Sequence, residues 1–578
     1  MAFEFDLETL NDNLDSFGLC CPESDDFIEK LEALCKTYRK STDDISDEIV
    51  SVMNNAGKKR VDLNVIAVLE ESLENQAQKL AHAPRSAKKP ARVPLAERSG
   101  FVLSGAGDDE KDNVMNIATS AKLEGHFLEF SPFAGSPANE KFLRRPEPNH
   151  VMNTIRGKKY QDNGLTSNIN NAGRVEVISK QPNILYGTDK SSVVIEAKAK
   201  RMGDFAQLLQ TTHEEIVDWG NPLVPSVDVV YTYGQVVHDD TRDVEKFGEH
   251  SVALMTNDED GTMIRLDLSK MTEDVTLFPG QIVAVRGINE TGQELVVDRI
   301  LTTPALPVLK IETDTTKTIW FTCGPYTAGE NCGYEHLCEL LDKVVIEKPD
   351  ILIMTGPYVD RRNAYISKQS FAVKYGDLFE DLMLKIKGKL HNTKTEVIIQ
   401  PSSTHDMCVP PVFPSPPFHF KKMDSVKKFI QFVPDPCVLS IGKGGVQIAM
   451  TSSEPIQGLS NSEFHRSSDQ ENNDRLVRLS SHLLTQQSIY PLEPTELPTS
   501  MSELLEVGRF FSSPHIVFAP SKLAPSAKNV NQTVFVNSST LAKGPTGNYV
   551  KMSINMPAGV LGSNETIANY SNIQFLRI

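Results

Sequence analysis

Residues 319–363 read IWFTCGPYTAGENCGYEHLCELLDKVVIEKPDILIMTGPYVDRRN, and the order of residue types here decides the fold. Residues 319–323 form a short apolar run that ends in Gly324-Pro325. Over 334–346, Leu337, Leu340, Leu341, Val344 and Val345 recur at helical spacing. Residues 350–354 are a second short apolar run, closed by Gly356-Pro357. Strand, helix and strand with short connections predict parallel strands in an α/β layer. Chemistry in such sheets gathers in the loops at the carboxyl ends of the strands. Those loops are Cys323-Gly324-Pro325-Tyr326 and Gly356-Pro357-Tyr358-Val359-Asp360. A third predicted strand, 395–400 (TEVIIQ), ends in Pro401-Ser402-Ser403-Thr404-His405-Asp406.

These three strand ends resemble those of the calcineurin-like metallophosphoesterases. Active members of that family read D-x-H, then G-D-x-x-D, then G-N-H-D or G-N-H-E. This chain departs from the pattern at most positions. Cys323 and Pro325 stand where the first Asp and His belong, and Pro357 replaces the leading Asp of the second loop, leaving Asp360. In the third loop Thr404 replaces Asn, while His405 and Asp406 stay. The closing G-H-x-H of the family falls near Ala519-Pro520-Ser521-Lys522, which has no histidine. A two-metal hydrolase needs carboxylate and imidazole ligands from several loops to hold two cations about 3.5–4 Å apart. Proline has no side-chain ligand. The expectation is an inactive phosphoesterase fold with no catalytic residue, metal or cofactor. Asp360, His405 and Asp406 then serve as hydrogen-bonded loop residues; a residual one-metal site is the alternative.

The inactive domain, with Gly324–Thr327 (GPYT) and Gly356–Asp360 (GPYVD), is similar to the accessory B-subunit family of DNA polymerase alpha. The corresponding accessory chains of other replicative polymerases share the inactive domain but are not expected to carry this pair of Gly-Pro loops. The resemblance runs from about Gly203 to the last residue and, more loosely, over the N-terminal segment.

The chain has 578 residues, which predicts two or three domains. A hydrophobic fraction of 39% allows a sizeable core. No apolar run reaches membrane-spanning length and no signal peptide follows the acidic start, so a soluble, intracellular chain without membrane contact is expected. The eight cysteines form no C-x-x-C pair and read as reduced thiols. Cys323, Cys332 and Cys338 with His336 match none of the usual zinc spacings. The net charge of −17 repels phosphate backbones, so little direct DNA binding is expected, while basic protein surfaces remain suitable partners.

Residues 1–80 read as an all-α bundle of four amphipathic helices. The first covers 7–17; the second is marked by Phe27, Leu31 and Leu34 after a Ser24-Asp25-Asp26 cap; the third by Ile45, Ile49 and Val52; the fourth covers 63–80. Residues 81–194 lose apolar periodicity and read as a flexible linker, with strand-like runs at 176–179 and 193–195. Ser131 and Ser136, each before proline, are candidate phosphorylation sites there.

Residues 203–307 read as an OB-type β-barrel, with strands at 228–238, 251–256, 263–268, 281–287 and 294–300. OB barrels often stack bases on aromatics over a basic groove. From Ser226 to Ile300 there are six Lys and Arg against fifteen Asp and Glu, so packing on the neighbouring domain is the expectation. Tyr231 and Tyr233 on one strand face suit base stacking and equally a core or partner contact. Residues 308–578 form the α/β phosphoesterase-like sandwich. It adds a hairpin across 442–445, a helix at 474–487 and strands at 515–519, 533–536 and 549–555. The proline-rich loop 410–420, with Phe413, Phe418 and Phe420, suits a partner surface and equally a lid folded onto the domain.

The family resemblance implies a nuclear, non-catalytic scaffold. The OB and phosphoesterase-like domains would grip the C-terminal domain of the catalytic subunit of DNA polymerase alpha. The small and large primase subunits would join through the complex, and other replication factors would bind through the N-terminal bundle. An active metallophosphoesterase with degenerate ligands, or the accessory chain of another replicative polymerase, are the alternatives.

Overall fold

Three neighbouring strands, buried on both faces over most of their length, set the layers of the sandwich. The structure is a computed structural model. It describes Leu10, residues 25–38, Thr42, Ile45, Ile49, Ile66, and residues 137–162, 174–182, 189–239, 246–257, 261–367, 373–467, 474–559 and 565–578. The chain divides into two units, Met1–Met115 and Asn116–Ile578.

In the first unit, helix α1 (Asp25–Tyr38) starts where the Ser-Asp-Asp cap places it. Phe27, Leu31 and Cys35 are buried at intervals of one helical turn. Leu10, Ile45, Ile49 and Ile66 are helical and buried. The rest of the expected bundle, including Val52 and most of 7–17 and 63–80, lies outside the described residues, as do Ser131 and Ser136.

The second unit opens with α2 (Pro137–Leu143), β1 (Val151–Arg156), β2 (Val175–Val177) and α3 (Ser191–Thr212). Strands β3 (Ser226–His238), β4 (Val252–Met255), β5 (Met263–Asp267), β6 (Val275–Leu277), β7 (Ile282–Asn289) and β8 (Glu294–Leu301) follow. Five of these close into a barrel in the order β3-β4-β5-β8-β7, as an OB-type reading requires. Its interior holds Val236, Leu254, Ile264, Leu266, Val283, Val285 and Leu295.

The α/β sandwich continues with β9 (Thr315–Cys323), α4 (Glu335–Glu347), β10 (Ile351–Thr355), α5 (Tyr375–Leu390), β11 (Glu396–Gln400) and β12 (Ile430–Phe432). Next come β13 (Cys437–Ile441), β14 (Val446–Met450), α6 (Pro455–Ser462), β15 (Phe464–Arg466), α7 (Arg475–Thr485) and α8 (Met501–Val507). Last are β16 (Ile516–Phe518), β17 (Ser526–Val530), β18 (Thr533–Asn537), β19 (Asn548–Met556) and β20 (Ser571–Arg577). One sheet runs β1-β20-β19-β9-β10-β11-β12 and the other β17-β18-β16-β14-β13-β2. β9, β10 and β11 are parallel, as the strand–helix–strand pattern predicts.

Successive side chains of a strand point to opposite faces, and here both faces are covered. Trp320, Leu352, Met354, Val397 and Ile399 pack against Leu337, Leu340, Leu382 and Ile386 of α4 and α5. Ile319, Phe321, Ile353 and Ile398 point the other way, into Leu439, Ile448, Phe518 and Val534 of the second sheet. The far face of that second sheet, with Ala449, Val517 and Phe535, is covered by Leu459, Leu479 and Leu483. Asp474 caps α7 by accepting from Leu476 N and Val477 N.

Two expectations need correction, and one open choice is resolved. Residues 81–194 are not linker throughout. β1 pairs with β20, β2 pairs with β13, and α2 is held by an ion pair of Arg145 with Glu339 and by Phe142 against the His336 ring at 4.5 Å. Strand-like 193–195 is the first turn of α3; Val193 and Ile195 sit exposed on a helix whose buried residues, Met202, Phe205, Ala206 and Leu209, come later. The proline-rich loop folds back as a lid, with Phe413 and Phe418 buried and Phe418 stacked 4.1 Å from Phe379. Among the described residues no helix is long and apolar enough to cross a membrane.

The barrel sits on the sandwich through polar groups, several of them buried. β6 pairs with β15. Gln486 Oε1 accepts from Ile282 N at 2.8 Å, and its Nε2 donates to Ile282 O at 3.0 Å, so one side chain completes the strand's missing partner. Gln235 donates to Glu493 at 2.8 Å, and Arg509 pairs with Asp204 at 2.9 Å. Gln486→Leu keeps the volume and leaves both groups of Ile282 unpaired. We expect it to cost roughly 2–4 kcal/mol in denaturant unfolding, with faster hydrogen exchange at the Ile282 amide.

His515, just before β16, gives a pH test. Gln447 N donates to its Nδ1 at 2.9 Å, so the ring proton sits on Nε2, which donates to Leu309 O at 3.0 Å. Burial pushes its pKa down to about 4. A histidine depressed in the fold stabilises it above its unfolded pKa and withdraws that stability as pH falls from about 6.5 toward 4. Between pH 7 and pH 5, wild type should therefore lose about 2 kcal/mol more than His515→Gln, read from unfolding midpoints at each pH.

Candidate functional site

The three strand ends after β9, β10 and β11 meet at one edge of the first sheet, with the expected loop residues in them. Both Gly-Pro bonds, Gly324–Pro325 and Gly356–Pro357, are cis. Behind them the space is filled with rings. Tyr326 stacks on Tyr358 with centroids 4.9 Å apart. Tyr326 Oη donates to Thr355 O, Tyr358 Oη to Met354 O and Tyr334 Oη to Tyr358 O, at 2.8 to 2.9 Å. All three tyrosines are buried. Buried Tyr needs a partner for its hydroxyl, and the strand-end carbonyls supply it.

Asp406 is the knot between the second and third loops. Its Oδ1 accepts from Tyr358 N at 2.6 Å and Val359 N at 3.1 Å, and its Oδ2 from Ser402 N at 2.8 Å. Burial outweighs these bonds and pushes its pKa up to about 7. Asp360 is held by Arg362. The guanidinium forks onto both carboxylate oxygens at 2.9 to 3.2 Å, and Arg362 N donates to Oδ1 as well. His405 is half-buried; its Nδ1 is enclosed without a hydrogen-bond partner, and burial with nearby Arg362 pushes its pKa down to about 4. The fourth loop also reaches this edge, since Lys522 acts on His405 and on Glu454.

The donor set does not fit the metal pair that the fold family uses. Both oxygens of Asp406 face backbone N–H groups, and both oxygens of Asp360 face Arg362. The His405 imidazole remains, where a bridged metal pair needs several ligands. Among the described residues no group of three or more His, Cys, Asp and Glu is placed to hold a metal ion. Cys323 has its thiol against Gly324 O and Gly356 O, and burial pushes its pKa up to about 12. His336 and Cys332 are buried in the helix-side core, not gathered with Cys323 and Cys338 around an ion.

Two structural features of this edge escape a reading of the sequence to different degrees. The tyrosine stack is signalled by the repeated Gly-Pro-Tyr. Asp435 carries no such signal: it is buried and accepts from Thr451 Oγ1 at 2.8 Å, Ser452 Oγ at 2.6 Å and Ser452 N at 3.1 Å. Burial raises its pKa to about 6.

Three family descriptions match this chain. That of the B-subunits of DNA polymerases alpha and epsilon matches residues 319–528. That of the OB domain of the DNA polymerase alpha B-subunit matches residues 195–303, and that of its N-terminal domain residues 8–75. The chain is 66% identical over 583 residues to a DNA polymerase alpha B-subunit of Caenorhabditis elegans, with 100% of each chain covered. It is 25% identical to that of Rattus norvegicus over 93% of this chain and 94% of the relative. It is 26% identical to that of Mus musculus, again over 93% of this chain and 94% of the relative. Its strand-end loops, barrel and N-terminal segment thus fall within one set of relatives, and the chain belongs to the B-subunit family of DNA polymerase alpha.

Proposed function

We propose that this chain is the non-catalytic accessory subunit of a DNA polymerase alpha–primase complex and supports primer synthesis at the start of DNA replication. The observation that carries the reading is the strand-end chemistry: carboxylates that could bind metal are committed to backbone and arginine partners. The same bonds make the edge rigid, which suits a scaffold. In this reading the barrel and sandwich, joined by buried polar contacts, hold the C-terminal domain of the polymerase's catalytic subunit. The two primase subunits join through the complex. Tethering converts primer hand-off into an intramolecular step, with effective concentrations of about millimolar for short links.

We assign residues 1–80 to a docking module for other replication factors and the segment with Ser131 and Ser136 to regulation by phosphorylation, in a nuclear protein. No catalytic or metal role is assigned to Asp360, His405 or Asp406. Affinity capture of the full chain followed by mass spectrometry tests the assignment. Recovery of the alpha catalytic subunit with both primase subunits is expected; recovery of a delta or epsilon catalytic subunit without primase would overturn it.

A further inference from the structure

A chain of net charge −17 gathers lysines of the opposite sign at one place among the described residues. From Lys385 to Lys394 there are four lysines and no Asp or Glu, and from His419 to Lys428 four lysines and one acid, Asp424. The fold brings these stretches together at the β11–β12 edge, around a cavity of about 200 Å³ lined by Lys387, Lys394, Lys428, Phe429 and Thr395. One buried water needs only about 10–15 Å³ by the same measure. Lysines near the end of α5 would complement its helix dipole, which accounts for Lys387 and Lys389 but not for Lys394 or Lys428 on other segments.

Neighbouring lysines are neutralised: Lys389 by Asp342, Lys422 by Glu380 and Lys427 by Asp424. Among the described residues the three that line the cavity have no carboxylate within ion-pair distance. Lys387 Nζ lies 5.6 Å from the ring centroid of Phe429, a residue 42% exposed. Thr395, 9% exposed, has its hydroxyl oxygen enclosed with no hydrogen-bond partner. Three unneutralised cations, an exposed ring and an unpartnered hydroxyl at one cavity are the elements of a single-strand site: phosphates on lysines and a base on the aromatic face.

We propose that this cavity binds the backbone of single-stranded nucleic acid, weakly and without sequence preference. It is separate from the barrel, where acidic residues outnumber basic ones, and does not depend on which polymerase the chain serves. Weak contact suffices when partners already hold the strand nearby.

The test is fluorescence anisotropy of labelled oligothymidylate with the full chain at low ionic strength, repeated over a salt series. K387Q/K394Q/K428Q should bind about tenfold or more weakly, and the slope of log affinity against log salt should shrink by about 2, for three lost phosphate contacts. Phe429→Ala should weaken binding roughly fivefold or more. K246Q/K270Q/K310Q, which removes exposed lysines elsewhere, should bind like wild type. The proposal fails if wild type shows no binding, or if the lysine and phenylalanine variants match it in affinity and slope. It fails equally if polyglutamate displaces the oligonucleotide as well as unlabelled oligothymidylate does, which would mark an acidic-peptide site.

Discussion

Asp406→Ala should lower the unfolding free energy by about 3–5 kcal/mol, because three buried backbone N–H groups, of Tyr358, Val359 and Ser402, lose their acceptor. Those groups belong to two different loops, so no small rearrangement restores all three. Asp406→Asn should fall between: its carbonyl still serves Tyr358 and Val359, but its amide faces the Ser402 N–H. The effect should also depend on pH. The carboxyl titrates near 7 in the fold and near 4 unfolded, so the folded chain holds the proton through that window. Its contribution is present at low pH and shrinks as pH rises from about 4 to 7. The loss caused by Asp406→Ala should therefore be larger at pH 5 than at pH 8, by about 2.5 kcal/mol. Urea denaturation of both proteins at both pH values reads this directly. A loss under about 1 kcal/mol at pH 5 would mean that the carboxyl group does not organise the loops.

Gly356→Ala should cost about 3 kcal/mol or more, although it adds one methyl group. A Cβ there would sit 2.1 Å from Asp406 Oδ2 and 2.5 Å from Ser402 N. The added atom would enter the space in which the carboxylate accepts its bonds, so the third loop must move. Gly388→Ala is the contrasting case. Gly388 lies within α5 with nothing within 4 Å of an added Cβ, and the substitution should stabilise by roughly 0.5–1 kcal/mol through helix propensity. Thermal unfolding of the pair should show opposite shifts. The first glycine is required by what touches it and the second is not.

Much of this architecture is legible in the residues. Short apolar runs at β9, β10 and β11, with leucines of α4 at helical spacing between the first two, announce the parallel layer. Alternating strands with Gly and Asn turns announce the barrel, and the substituted strand-end loops announce a phosphoesterase shell without its ligand set. What stayed hidden lacks a local pattern. β1 is an edge strand with nearly every residue exposed, so no alternation marks it, and β20, its partner, lies near the opposite end of the chain. β2 has three residues. α3 begins with the β-branched run Val193-Val194-Ile195 and buries only its later residues, so its start reads as a strand. Gln486 pairing with Ile282 and Asp435 pairing with Ser452 are contacts between distant residues, and neither residue type marks its partner in sequence.

We propose that loops of a kind that suits metal chemistry serve here to hold the sandwich together. Phosphodiester hydrolysis by the purified full chain with added manganese tests this most directly, read beside Asp360→Ala and His405→Ala. We predict release of product at the buffer rate for all three proteins. Saturable, manganese-dependent turnover by the wild type that either substitution abolishes would contradict it.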